Sequence, residues 1–304
     1  MKDMQIVPPF LKNGDTVAIV SPSGVVEPGP VESATDLIRK WGLNVIHGQS
    51  ILAVAGTFAG TDEQRISDLQ KAVNNPMVKA IICTRGGYGL SRIIDRIDFS
   101  PLAASPKWIV GYSDITVMHL WVSALYGIAT IHGEMPLNYR NPEKSARSVT
   151  SVRDLLFGRE TTYEWEGHIT RPASARGIVT GGNLALMYSL SGTIGRPDTD
   201  GKVLFIEDTG EYYYSVDRML HSLRLSGMIS NLAALLVGDF GDLRDSTVPF
   251  GKSVKEIVDD VTADFDYPVY HGFPAGHCPD NVAFFLGREA LLSADGTMLR
   301  MEYP

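Results

Sequence analysis

The chain has 304 residues, 44% of them hydrophobic and 20% charged, with no low-complexity run, which excludes a disordered or fibrous protein and makes two domains the natural expectation. A net charge of −8 without any basic block excludes a nucleic-acid partner. No run approaches the roughly 18 apolar residues of a membrane helix, and the N-terminus, with an acid at position 3 and prolines at 8 and 9, lacks the apolar region of a secretory signal.

Two cysteines, Cys83 and Cys278, are too few for a disulfide framework and lack metal-ligand spacing. Together with the missing signal they point to a reducing cytoplasm.

Along the chain, β-branched runs alternate with helical patterns. Residues 17–20 (VAIV), 78–83 (VKAIIC) and 108–110 (WIV) read as buried strands. Between them Val31, Ala34, Leu37, Ile38 and Trp41 mark one helix face, and Ile66, Leu69 and Val73 another, opened by a Thr61/Gln64 capping box. Residues 141–172 hold one helix and then polar, turn-rich sequence, read as the crossing between domains 1–160 and 161–304. Strands resume at 203–206 (VLFI) and 234–237 (ALLV). Helices follow at Val216, Met219, Leu220 and Leu223, and at Val254, Ile257, Val258 and Val261, the second opened by a Ser253/Glu256 capping box; strand-like runs at 290–292 and 298–301 close the chain. The alternation predicts an α/β protein: a mostly parallel N-terminal sheet flanked by helices, flavodoxin-like or amidotransferase-like, with a second α/β domain.

Parallel sheets offer ligands the loops beyond the carboxyl ends of their strands. The first such loop is Arg85-Gly86-Gly87-Tyr88-Gly89, whose glycines admit close approach of backbone amides, as a phosphate cradle or an oxyanion hole requires. Arg92 stands where a dinucleotide fingerprint needs glycine, so a nucleotide cofactor is not expected; a tight turn without a ligand is the alternative. The second is Gly111-Tyr112-Ser113-Asp114. A serine between strand and helix, two residues after a glycine, resembles a nucleophile elbow, although Ile115 replaces the second glycine of G-x-S-x-G. Serine and aspartate are equally the residues that cap helices, so the local sequence leaves both roles open.

A serine nucleophile needs a base and an orienting carboxylate. Of seven histidines, His119 and His221 fall in helical patterns, His47 and His271 near strand ends, and His168 in the crossing. His132, after a short strand, is positioned to line a cleft, and His277, in the Gly/Pro-rich FPAGHCPDN loop, is the best base. Glu207 and Asp208 follow a strand directly and suit the orienting acid, whereas Glu211 and Asp217 belong to the next helix. No cluster suits a metal, and Cys278 beside His277 carries little weight as a thiol nucleophile.

Taken in order, SPSG at 21–24, RGGYG at 85–89, GYSD at 111–114, HGEMP at 132–136, GGN at 181–183, FIED at 205–208 and GHCPDN at 276–281 resemble the LD-carboxypeptidase family of serine peptidases. That family includes muramoyltetrapeptide carboxypeptidases and the peptidases that give immunity to microcin C. The resemblance implies a cofactor-free, metal-free homodimeric hydrolase in which Ser113 is the nucleophile, His277 the base and Glu207 its orienter. Backbone amides of Asp114, Gly86 and Gly87 would receive the oxyanion, and Arg85, Asn183 and His132 would meet the peptide. The implied substrate is murein tetrapeptide, which would lose its terminal D-alanine. A microcin C-like peptidyl-nucleotide is the alternative, for which Tyr212, Tyr213 and Tyr214 would stack on the base unless they pack at the helix start. A non-catalytic binding protein on the same scaffold is the remaining one. Glu134 departs from the family pattern, which favours proline there, and places an acid at the expected cleft rim.

Overall fold

The computed structural model describes residues 5–139, 142–159 and 162–304. Asn141, at the start of the expected crossing, and Glu160 and Thr161, at the expected boundary, lie outside these. In chain order the elements are β1 (Thr16–Val20), α1 (Pro28–Lys40), β2 (Asn44–His47), α2 (Asp62–Asn74), β3 (Val78–Cys83), α3 (Pro101–Ala104), β4 (Trp108–Gly111), α4 (Thr116–Tyr126), β5 (Thr130–His132) and α5 (Pro142–Leu156). There follow β6 (Thr162–Glu166), β7 (His168–Thr170), β8 (Ala175–Asn183), α6 (Leu184–Leu190), β9 (Val203–Thr209), α7 (Tyr213–Leu225), β10 (Ala234–Gly241), α8 (Val254–Val261), β11 (Val269–His271), β12 (Phe284–Leu286), β13 (Glu289–Asp295) and β14 (Met298–Glu302). No described helix is long and apolar enough to cross a membrane.

The chain divides into two compact units, Met1–Glu160 with Pro279–Gly287, and Thr161–Cys278 with Arg288–Pro304. The first carries a six-stranded sheet in the order β12-β5-β4-β3-β1-β2, whose five N-terminal strands run parallel. Ile19, Ile81, Ile82, Ile109 and Val110 are wholly buried, as continuous β-branched runs require when both sheet faces are covered. The α2 capping box forms as its spacing predicts: Thr61 N–H donates to Gln64 Oε1 at 2.8 Å and Gln64 N–H to Thr61 Oγ1 at 3.3 Å.

The second unit holds an eight-stranded mixed sheet, β6-β14-β13-β8-β9-β10-β11-β7. Strands β8 to β11 pair in parallel, and the flanking strands pair antiparallel.

Two features depart from the sequence expectation. The turn-rich part of the crossing is two strands, β6 and β7: in TYEWE, Tyr163 and Trp165 are buried while the alternating residues face out, a period of two hidden by glutamates on the wet face. In addition, β12 returns from the late part of the chain to pair antiparallel with β5, through Phe284 opposite His132. Residues 279–287 therefore belong to the first unit, where Phe285 packs on Trp108 with ring centroids 5.2 Å apart.

Candidate active site

In the first unit β4 ends at Gly111 and a single 3₁₀ turn, Ser113–Ile115, leads into α4. Ser113 adopts φ +62°, one of three non-glycine residues with positive φ among those described. An L residue there carries about 1–2 kcal/mol of strain, so the surroundings must impose the turn. They do so by close packing: a Cβ on Gly111 would stand 2.7 Å from Ile115 Cγ1, and neutral His119, wholly buried, donates from Nε2 to Gly111 O at 2.9 Å. Burial pushes the His119 pKa down to about 4, which keeps the ring neutral at ordinary pH. Ile115 thus fills the space beside Gly111 that the missing second glycine would have left open.

Ser113 is the first residue inside the 3₁₀ turn, whose cap position is Tyr112, while Ile115 stands at the cap of α4, so the helix-cap reading of the serine fails. Ser113 is half-buried, between buried neighbours. Gly86 lies against it: a Cβ at Gly86 would fall 2.8 Å from Ser113 Cβ, 2.9 Å from its Oγ and 3.2 Å from Asp114 N. The N–H groups of Gly86 and Gly87 donate to no partner among the described residues. A serine packed against a glycine loop whose N–H groups carry no partner among the described residues, at a helix start, is an arrangement suited to a nucleophile and its oxyanion. Gly86→Ala is therefore expected to lower kcat/KM by about 10²-fold or more, since the methyl competes for the space of the hydroxyl; steady-state kinetics with a melting curve as folding control checks this.

In the second unit Glu207 lies on β9 in register with Asn183 on β8. Its side chain is wholly buried, and its Oε2 meets His277 Nδ1 at 2.7 Å. Burial alone would depress the His277 pKa. The Glu207 hydrogen bond and the charges of Glu207, Asp208 and Asp239 outweigh it and hold the imidazole above its ordinary value. Gly276 makes room for the pair, because a Cβ there would stand 2.9 Å from Glu207 Cβ. Nδ1 is committed to the carboxylate, which fixes the tautomer and the orientation of the ring.

The remaining sequence candidates fare unequally. Arg85 donates from one guanidinium nitrogen to Val25 O at 2.8 Å, while its buried Nε has no partner among the described residues. Asn183 caps α6, accepting from Leu186 N–H at 3.2 Å, and donates to Asp208 at 2.9 Å. These two bonds are structural and support Asp208, the residue next to Glu207. Burial, then the Glu207 charge, raise Asp208 to about 6 against hydrogen bonds from the Thr209 and Ala185 N–H groups and from Asn183. His132 is a correction: it is 0% exposed, stacked on Phe284 at 4.8 Å and tilted on Tyr112 at 5.7 Å, and is core rather than a peptide contact. Glu134 is likewise not a rim acid, being buried and accepting from Asn138 Nδ2 at 2.6 Å and Met135 N–H at 3.0 Å.

Sequence reasoning missed the Asp114 carboxylate. It is wholly buried, and its Oδ2 accepts from Ser23 Oγ at 2.6 Å and from Leu90 N–H at 2.9 Å. The only sequence signal was an acid directly after the serine.

The chain also matches known proteins along most of its length. Residues 17–133 fit the model of the LD-carboxypeptidase N-terminal domain and residues 176–292 that of the C-terminal domain. It is 34% identical to a probable murein peptide carboxypeptidase of Bacillus subtilis, over 94% of this chain and 91% of that protein. To the murein tetrapeptide carboxypeptidase of Pseudomonas aeruginosa it is 32% identical, over 93% and 94%. The crystal structure of muramoyltetrapeptide carboxypeptidase from Oxalobacter formigenes superposes with a TM-score of 0.87 at 29% identity, covering 95% of this chain and 98% of that one. With the strained Ser113 in the segment matched by the N-terminal family domain, and the buried Glu207–His277 pair in the segment matched by the C-terminal one, this chain belongs to the LD-carboxypeptidase family.

Proposed function

We propose that the protein is a serine-type LD-carboxypeptidase that removes the C-terminal D-alanine of murein tetrapeptide, with Ser113, His277 and Glu207 as its triad. The observation that carries this reading is the strained turn at Ser113, φ +62° with Gly86 packed on its hydroxyl, because strain of this kind persists where function requires it. Ser113 Oγ attacks the carbonyl of the L-configured centre as His277 Nε2 takes its proton. The oxyanion is received by the N–H groups of Asp114 and of Gly86 or Gly87. His277 then protonates the departing D-alanine amine, and water, activated in the same way, releases the shortened peptide from Ser113. Arg85, half-buried in the same loop as Gly86 and Gly87, is the cation for the substrate's terminal carboxylate. The murein peptide activity in the names of the two bacterial relatives supports the substrate, and the family resemblance supports a cytoplasmic homodimer without cofactor.

One observation favours a second reading. Tyr212 and Tyr214 are 37% and 43% exposed, with ring centroids 5.4 Å apart, and Arg218 lies 5.6 Å over Tyr214. The pair does not pack into the core, and it offers a face to a nucleobase. Incubation with murein tetrapeptide and, in parallel, with a peptidyl-nucleotide separates the two. D-alanine release with negligible cleavage of the nucleotide is the expected result, and the reverse preference overturns it.

A further inference from the structure

Three loops of the first unit, 21–24, 85–90 and 111–114, meet around one buried carboxylate. Asp114 Oδ2 accepts from Ser23 Oγ and Leu90 N–H, and its Oδ1 has no partner among the described residues. The residue after Ser23 completes the link: Gly24 N–H donates to Gly86 O at 3.1 Å. A trans peptide is planar, with its C=O and N–H antiparallel. Holding Gly86 O toward Gly24 therefore aims Gly87 N–H the opposite way. Behind these loops the buried Arg65 guanidinium, paired with Asp62, donates to Pro22 O at 2.6 Å and to Gly89 O at 3.0 Å, clamping both glycine loops from below.

A buried carboxylate with one unsatisfied oxygen is costly. Burial raises the Asp114 pKa, against the bonds from Ser23 and Leu90. The fold keeps the group where it bridges the nucleophile turn to the glycine loop.

We propose that Asp114 is a positioning residue: its carboxylate, acting through Ser23 and the Gly24–Gly86 bond and through Leu90, sets the Gly86–Gly87 peptide against Ser113 so that its N–H is in place for the developing oxyanion. The proposal rests on the catalytic reading of Ser113. It assigns the side chain a task separate from that of the Asp114 backbone amide.

Asp114→Asn keeps the shape but replaces charge-assisted bonds with weaker ones, and Ser23→Ala removes one of them without altering any residue next to the substrate. Each is expected to lower kcat about 10- to 10²-fold with little change in KM. Each should weaken binding of a tetrahedral phosphonate analogue in parallel with kcat/KM, and the double variant should lose less than the sum of the two single losses, since Ser23 acts through Asp114. A role in stability alone would lower the melting temperature and leave kcat and analogue affinity at wild-type values, which overturns the proposal, as do fully additive losses. If Asp114→Asn does not fold, Ser23→Ala decides alone by the same kcat and analogue readings. Ser113→Ala is run alongside. If it releases D-alanine at the wild-type rate the catalytic reading itself fails, whereas an inactive Ser113→Ala beside a fully active Ser23→Ala sinks only the positioning role.

Discussion

Ser113→Ala should abolish D-alanine release, with a fall in kcat on the order of 10⁶ for loss of a triad nucleophile. Folding should be almost unaffected. Alanine keeps the Cβ that makes φ +62° costly, so strain is equal in both proteins, and Ser113 caps neither the 3₁₀ turn nor α4. The expected outcome is an inactive protein with an unchanged melting temperature that still binds the tetrapeptide in calorimetry. Lost binding or a marked drop in melting temperature would instead assign Ser113 a structural task.

Glu207→Gln should cost about 10²- to 10⁴-fold in kcat with substrate affinity nearly intact, because the amide can hold the imidazole in the wrong tautomer and cannot stabilise its cation. The pH dependence gives a sharper test. His277 acts as base only when neutral, and its pKa is held above the ordinary value chiefly by Glu207 against the opposing effect of burial. The acidic limb of kcat/KM in the wild type should therefore lie above the ordinary histidine value and move to lower pH in Glu207→Gln. Stability follows the same linkage. A histidine whose folded pKa is raised contributes stability that is fully present below its unfolded pKa and is lost as pH rises through the folded one. The melting temperature of wild type should exceed that of the variant most at mildly acidic pH. An acidic limb that does not move would contradict the pairing of Glu207 with His277.

The parallel core of the first unit was legible because its strands are continuous β-branched runs, and both capping boxes were legible because their residues stand three apart. β6 was not, since its buried Tyr163 and Trp165 alternate with glutamates, and β8 was not, since three of its nine residues are glycine. The return of β12 to the first sheet depends on pairing with β5, far away in sequence, which three apolar letters do not announce. At the site, Glu207 and His277 emerged from loop position and motif order, and the structure bonds them to each other. The misreading of His132 has a physical cause: a histidine after a strand is written identically whether it faces a cleft or stacks on an aromatic ring from a distant strand. The Asp114 carboxylate stayed hidden because its partner Ser23 is 91 residues away. Local pattern reports which backbone an acid sits on, not which loops its oxygens gather.

If Ser113 is the nucleophile that His277 and Glu207 activate, a fluorophosphonate applied to the native protein, followed by peptide mass mapping, should leave one adduct per chain, on Ser113, forming with the loss of activity, slowed in Glu207→Gln and absent in Ser113→Ala. Inactivation with the adduct on another residue, or full activity after stoichiometric labelling of Ser113, would contradict that role.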